Sequence, residues 1–374
     1  MVITLYPPYN IEKCLISRAI KALGTRRKRE EKRMKTQSIV FTAPGRAELL
    51  EEETRPLGPR DVLIQRHYST ISSGTERANL TGDENVNPRT QAAKAVFPRR
   101  GGYNGAATVL ETGAEVKSVK PGDKVIVTWG CHTHYECVDE GNIHRLEDQQ
   151  ASLQDAAMAL IATFPLAAVR KCRLELGEPA AVMGLGILGR IALQLLKAGG
   201  ATPVIAVDPV AEKRAQALEF GADYALDSFA PDFAAQMKAL SRGGVKVAVE
   251  VTGFGKALDQ VLDGMAPFGR VALLGCTRHS DFSIDYYRKV HFPGIVLIGA
   301  HTMARPRLES SAGLWTERDD LLAVMDLVRW GRIDLKKMVE EVHSPLDAPQ
   351  VYARLAADKS FPVVQFHWDL LGNS

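Results

Sequence analysis

The sequence predicts an α/β fold in two parts, a mostly antiparallel β unit followed by a doubly wound parallel sheet. Three observations predict it. Residues 37–142 are β-rich and broken by turns, a glycine-rich turn at residue 184 joins an apolar run to an apolar helix, and strand and helix patterns alternate after it. In the first part, residues 62–65, 106–110 and 124–127 read as strands, with Pro121-Gly122-Asp123 as a turn between the last two. The pattern becomes helical near Leu153. Beyond it, residues 179–183, 203–207, 224–226, 245–251, 270–275 and 295–300 read as six parallel strands, with helical stretches such as 234–240 and 257–265 between them. From Thr302 the chain is irregular, then helical over 321–330 and 348–357, and it ends on an apolar run at 362–366. These patterns divide the chain into a basic extension (1–33), a β-rich unit (34–155), a parallel-sheet unit (156–301) and a C-terminal return to the β-rich unit (302–374).

The turn itself reads Gly184-Leu185-Gly186-Ile187-Leu188-Gly189, and Asp208 closes the following strand 24 residues after Gly184. Strand, glycine turn, helix, strand and acidic residue in that order is the dinucleotide-binding fingerprint of a Rossmann unit. Gly184 allows the tight turn, Gly186 lets pyrophosphate approach the backbone, and Gly189 lets the helix lie close to the strand. The N–H groups at the start of the helix, at Ile187 and Leu188, then face the phosphates. Asp208 is suited to accept from ribose hydroxyls and to repel a 2′-phosphate, which favours NAD over NADP. Lys213, one turn along the next helix, is either a ribose or adenine contact or a solvated surface residue.

Composition bounds the rest. A chain of 374 residues, 45% hydrophobic and 24% charged, suits a globular protein of about two domains. Its most lipid-like stretch, residues 156–169, is interrupted by Thr163 and Pro165 and is too short for a bilayer span. Five cysteines, with no secretory leader, predict a reducing, cytoplasmic setting. Residues 1–33 hold nine Lys/Arg against three acidic residues, so the formal +3 of the whole chain leaves −3 for the remainder. The block Arg26-Arg27-Lys28-Arg29 therefore belongs to an extension ahead of the domain start near Met34. It does not make the fold itself a nucleic-acid or membrane binder.

Pro121-Gly122-Asp123-Lys124-Val125, the glycine run, Glu250-Val251-Thr252-Gly253 and Gly269-Arg270-Val271-Ala272-Leu273-Leu274-Gly275 occur in an order that resembles the medium-chain dehydrogenase/reductase superfamily, over residues 35–370. The resemblance implies a GroES-like catalytic domain ahead of the Rossmann domain, and a homodimer or homotetramer. It also implies zinc positions, and these depart from the pattern. Ser73-Gly74-Thr75-Glu76 stands where zinc members carry Cys-Gly-Ser/Thr-Asp, Gly102-Tyr103-Asn104 where they carry Gly-His-Glu, and Phe164 precedes Pro165-Leu166. Zinc needs three or four converging N, S or O ligands, so no metal is expected. The sequence is similar to the zinc-lacking branch that includes bacteriochlorophyllide hydroxyethyl dehydrogenases, without carrying over their substrate. In Cys131-His132-Thr133-His134-Tyr135-Glu136-Cys137, strand alternation would divide the metal-type side chains between two faces.

Without zinc, the alcohol proton and the charge on its oxygen fall to hydrogen-bonding side chains. Tyr103 is the first candidate, and Thr75 and Ser73 are candidates for passing its proton on; each is alternatively a packing or turn residue. Glu76, Asn104, His134 and His301 are candidate substrate contacts, with a local Glu76–Arg77 ion pair as the alternative for the first. Arg305 and Arg307, after the last strand, are placed to meet an anion or to lie in a solvated loop. Thr252, Gly275 and Cys276 end strands beside the cofactor groove. The reading is an NAD-dependent dehydrogenase acting on a polyol, sugar or similar polar metabolite. Quinone or enoyl reduction, and a cofactor-sensing or nucleic-acid-binding protein without catalysis, are the alternatives.

Overall fold

The computed structural model describes residues 33–86, 94–280 and 282–372, so the basic block at 26–29 and nearly all of the expected extension lie outside the described residues. The chain opens with β1 (Lys35–Ala43), β2 (Arg46–Glu53), β3 (Asp61–Thr70), α1 (Ser73–Thr81), β4 (Arg99–Arg100), β5 (Asn104–Thr112), β6 (Lys124–Thr128), β7 (Tyr135–Asp139) and β8 (Ile143–Arg145). Two short helical pieces, α2 (Leu153–Ala156) and α3 (Ala159–Lys171), lead into β9 (Ala180–Met183), α4 (Ile187–Ala198), β10 (Val204–Val207), α5 (Ala211–Glu219) and β11 (Tyr224–Leu226). Then come α6 (Phe233–Leu240), β12 (Val245–Glu250), α7 (Gly255–Asp263), β13 (Met265–Leu273), β14 (Val296–Gly299), α8 (Glu317–Arg329), β15 (Glu341–His343), α9 (Ala348–Ala357) and β16 (Val364–His367).

The second part is the parallel sheet expected from the sequence, in the order β11-β10-β9-β12-β13-β14. The four residues of β9 and of β10 are all buried, as strands covered by helices on both faces must be. The chain winds outward from β9 to β11 and returns to β12 on the other side of β9. The crevice at this reversal, beyond the carboxyl ends of β9 and β12, is where such folds bind ligands. Among the described residues no helix is long and apolar enough to cross a membrane.

The β-rich part is mainly a seven-stranded sheet, β15-β16-β3-β5-β6-β8 with β7 also on β3, beside a small β2-β1-β4 sheet. The C-terminal residues complete it: β16 runs antiparallel to β3, with Phe366 opposite Ser69. The central strand β3 is covered on both faces, so it buries even Arg66 completely. That guanidinium donates to Glu136 at 2.6 Å, to the Thr133 carbonyl at 3.0 Å and to the Asn104 carbonyl at 3.4 Å. It leaves no room for a side chain at Gly105, where a Cβ would fall 2.0 Å from Arg66 Nη1.

The alternation expected over residues 131–137 fails, because β7 starts only at Tyr135. The residues before it cross between sheets. The Ile39 N–H donates to the His132 carbonyl and the His132 N–H to Gly101, so His132, Thr133 and His134 are all buried together.

Arg66→Met should cost about 3 kcal/mol or more, since it strands the Glu136 carboxylate and two carbonyls without their cation. Urea denaturation at neutral pH measures this, and a loss under about 1 kcal/mol would contradict the buried network.

Candidate active site

The crevice carries the glycine turn. Gly184 sits at φ +97°, in the left-handed region that glycine tolerates, and a Cβ there would meet the Thr252 methyl at 2.8 Å. At Gly189 a Cβ would lie 1.8 Å from the Gly184 carbonyl oxygen, so only glycine lets α4 approach β9 this closely. At Gly186, by contrast, nothing lies within 4 Å of a Cβ position. That residue is exposed and heads α4, whose first N–H groups, at Ile187 and Leu188, receive no side-chain cap. The cradle fits a dinucleotide pyrophosphate.

Asp208 is 5% exposed and fixes the turn from below, accepting from Leu185 N–H and Val210 N–H at 2.9 Å each. Arg214, the cation next in line, donates to the carbonyls of Asp208 and Pro209 and pairs with Asp227 at 3.3 Å. Lys213 stands half-buried beside it. On the other wall, the segments after β12 and β13 pack backbone to backbone. A Cβ on Gly275 would fall 2.2 Å from the Gly253 nitrogen, and one on Gly253 would fall 2.7 Å from the Cys276 carbonyl. Thr252 offers the groove little beyond its methyl, because its N–H and hydroxyl both donate to Glu250. Cys276 and His301 are exposed, His301 accepting from Met303 N–H at 3.2 Å.

Tyr103 occupies the centre between the two sheets. Its hydroxyl donates to Ser72 Oγ at 2.7 Å and is also within reach of the Thr75 hydroxyl. Its ring stacks on Trp129 with centroids 5.8 Å apart and leans on Phe164 at 6.1 Å. Burial holds the phenol well above its ordinary range, and the charges of Glu76 and Cys276 push the same way against the hydroxyl contacts. Tyr103 is therefore a protonated donor at neutral pH. Ser72, rather than the expected Ser73, meets it. The tandem serines gave no means of choosing, since the residue that caps α1 is decided by where the helix begins. Trp129 was also unforeseen: at φ +57° it takes a conformation unusual for a bulky residue, its N–H donating to the Tyr103 carbonyl at 2.7 Å and its indole N–H to Glu317 at 2.9 Å.

Three expected substrate contacts point elsewhere. Glu76 is 2% exposed and accepts from Ser72 N–H at 2.8 Å and from the Tyr352 hydroxyl, while His132 Nε2 lies 3.0 Å away. It makes no pair with Arg77, which donates to the carbonyls of Leu355 and Asp358. Glu76 thus supports the Ser72 backbone from inside the domain. Asn104 is 1% exposed and bonds the backbone N–H and carbonyl of Thr70 at 3.0 Å each, tying β5 to β3. His134 packs between Tyr135 and Trp368, on a face turned toward Asp369 and His67.

Two of the positions at which the resemblance implies zinc ligands, Tyr103 and Phe164, lie together in an aromatic group. Ser73 supplies a hydroxyl, Tyr103 a phenol held by Ser72, and Phe164 a hydrocarbon ring against Tyr103. Among the described residues no group of three His, Cys, Asp or Glu is placed to hold a metal ion. This donor set does not fit zinc.

Residues 58–172 match the family model for the alcohol dehydrogenase GroES-like domain, and residues 188–314 match that for zinc-binding dehydrogenase. The chain belongs to the zinc-type medium-chain dehydrogenase/reductase superfamily. It is an oxidoreductase of the alcohol dehydrogenase type. It is 25% identical to D-guloside 3-dehydrogenase of Escherichia coli (strain K12) over 334 residues, covering 84% of this chain and 95% of that one. It is 28% identical to (R,R)-butanediol dehydrogenase of Bacillus subtilis (strain 168) over 264 residues, 64% of this chain and 71% of that one. A crystal structure from Sinorhizobium meliloti 1021, of a protein described as a zinc-binding dehydrogenase bound to NADP, shares the fold. Its TM-score is 0.74 at 20% identity, over 90% of this chain and 100% of that one.

Two glycine substitutions should separate packing from ligand binding. Gly186→Val should leave thermal stability unchanged and weaken NADH binding tenfold or more, whereas Gly189→Ala should cost about 2 kcal/mol in folding. Calorimetry and NADH fluorescence titration read the two effects. Burial also pushes His144, on β8 near Arg318, down to about 4. The unfolded chain protonates near 6.5, so as pH falls from there to 4 the native state should lose up to about 3 kcal/mol, and His144→Asn should flatten that slope in denaturant titrations.

Proposed function

We propose that the chain is an NAD-dependent dehydrogenase interconverting a secondary alcohol and a ketone on a polyol or sugar, with Tyr103 moving the proton and no metal at the reacting centre. The observation that carries this reading is the Tyr103 hydroxyl, held by Ser72 and Thr75 where the superfamily's zinc ligands would stand. A bound nicotinamide dinucleotide supplies the hydride acceptor or donor at carbon. The chain's own part is to hold the alcohol oxygen against the Tyr103 phenol, beside the rings of Trp129 and Phe164. When a ketone is reduced, the phenol donates its proton to the oxygen as the C–H bond forms, and the Ser72 and Thr75 hydroxyls stabilise the phenolate left behind.

The names of the relatives, which act on a guloside and on butanediol, support a secondary alcohol as substrate. NAD is favoured by the Asp208 carboxylate at the ribose end and by Arg214, whose guanidinium is committed to carbonyls and to Asp227.

Tyr103→Phe should lower kcat for ketone reduction 100-fold or more while KM for NADH changes little; an unchanged kcat across pH 6–9 removes Tyr103 from the reaction. In the same assay, NAD should outperform NADP in kcat/KM by tenfold or more. Dialysis against a strong chelator should leave turnover intact, and a stoichiometric zinc whose removal abolishes it would overturn the metal-free reading.

A further inference from the structure

Next to Trp129, whose ring stacks on Tyr103, lies a cavity of about 580 Å³ that this tryptophan helps to line. Three arginines line it, Arg305, Arg307 and Arg318, all from the segment between β14 and the first turn of α8. Arg305 is the inner one. Its side chain is 7% exposed, stands over the Phe164 ring at 5.9 Å, and bonds Thr163 and the Thr302 carbonyl. Its carboxylate partner Asp320 lies 3.6 Å away and is shared with Arg170, which holds it at 2.9 Å, so two cations face one buried acid. Burial pushes Asp320 up and Arg305 down, while the two arginines pull Asp320 back toward its charged form. Arg307 and Arg318 form no ion pair among the described residues. The two acids in the lining are hydrogen-bonded to neutral donors: Glu317 accepts the Trp129 indole N–H and Asp319 accepts from the Ser310 hydroxyl, while the Asp319 N–H donates to Thr316 Oγ1, so their charges offset the three arginines in part. His144, also in the lining, is neutral above pH 4 or so and adds no charge there.

We propose that this cavity is a substrate subsite for an anionic substituent, a phosphate or carboxylate, carried by the sugar or polyol whose hydroxyl meets Tyr103. The proposal rests on the dehydrogenase reading above and narrows its substrate class. Trp129 forms the shared wall, with one face stacked on Tyr103 and the ring lining the cavity. Phe164 links the two sites in the same way, touching Tyr103 on one side and Arg305 on the other. A carbon chain laid along these rings would put its oxidisable hydroxyl at the phenol and its charged end among the guanidinium groups, which bind phosphate and carboxylate in forked geometry.

The test uses the full-length enzyme saturated with NADH and titrated calorimetrically with D-glucitol, D-glucitol 6-phosphate and D-gluconate, alongside the Arg307→Met/Arg318→Met variant. Expected is at least tenfold tighter binding of one charged probe than of D-glucitol, with the advantage lost in the variant while its NADH affinity is unchanged. Equal affinity for charged and neutral probes, an advantage that survives in the variant, or charged-probe binding that occurs only without NADH would each overturn the subsite. Turnover separates this outcome from the parent reading. Arginine-dependent binding with no oxidation of any alcohol sinks the dehydrogenase reading alone, and equal kcat/KM on neutral and charged alcohols sinks the subsite alone.

Discussion

Helix α3 is the element through which the two halves of the site are held in register. Every residue from Ala159 to Leu166 is buried, and the helix packs against α4, α8 and the strands β6, β12 and β13. It therefore touches the β-rich sheet, the parallel sheet and the C-terminal return at once. Pro165 lies within it and has no N–H for the backbone ladder, and Thr163 instead turns its hydroxyl back to the Leu160 carbonyl at 2.8 Å. Its position is thus set by burial on all sides more than by its own hydrogen bonds. Phe164 and Thr163 leave this helix toward Tyr103 and Arg305 respectively. A shift of α3 would move the proton donor and the arginine cavity together relative to the glycine turn.

The electrostatics of the centre follow from what surrounds the phenol. A metal would lower the proton affinity of a bound alcohol, whereas burial among Trp129 and Phe164 raises that of Tyr103. A phenol with raised proton affinity stays protonated at neutral pH but releases its proton less readily, so donation to a ketone oxygen depends on the Ser72 and Thr75 hydroxyls that stabilise the phenolate left behind. Alcohol oxidation needs the phenolate first, and among the described residues the hydroxyls of Ser72 and Thr75 stand against it to stabilise it. The Glu76 carboxylate behind Ser72 works against that phenolate, and its bonds to Tyr352 and His132 disperse its charge within the domain core.

What could be read from the sequence was backbone geometry, and what could not was side-chain direction. The glycine run was legible because each glycine answers a different constraint, a positive φ at Gly184, an open approach at Gly186 and a carbonyl contact at Gly189. The central strands β9, β10 and β12 were legible because buried strands are continuous apolar runs, and the edge strands β11 and β14 were legible as short apolar runs although they are partly exposed. Glu76 and Asn104 were misplaced because a resemblance aligns positions along the chain and says nothing of which way a longer carboxylate or an amide turns. Glu76 reaches inward to His132, an arrangement that needs Gly102, where a Cβ would lie 2.6 Å from the imidazole. Residues 131–134 misled for a related reason: alternation describes a strand, and these residues cross between two sheets.

The arginine cavity also has to be weighed against the charge of the whole fold. Outside its basic first 33 residues the chain carries a net negative charge, so a free anion meets a repulsive background over most of the surface. Against that background, three arginines around one 580 Å³ cavity make a local reversal of sign, Arg305 on the buried side and Arg307 and Arg318 at the exposed rim, with Trp129 and the first turns of α8 in the wall. Low-dielectric walls strengthen such a field, and the engaged carboxylates of Glu317 and Asp319 weaken it only in part. Substrate charge would then act on orientation more than on attraction from a distance. An anion seated among these guanidinium groups fixes which end of a nearly symmetric polyol reaches Tyr103, a distinction that hydroxyl contacts alone make poorly.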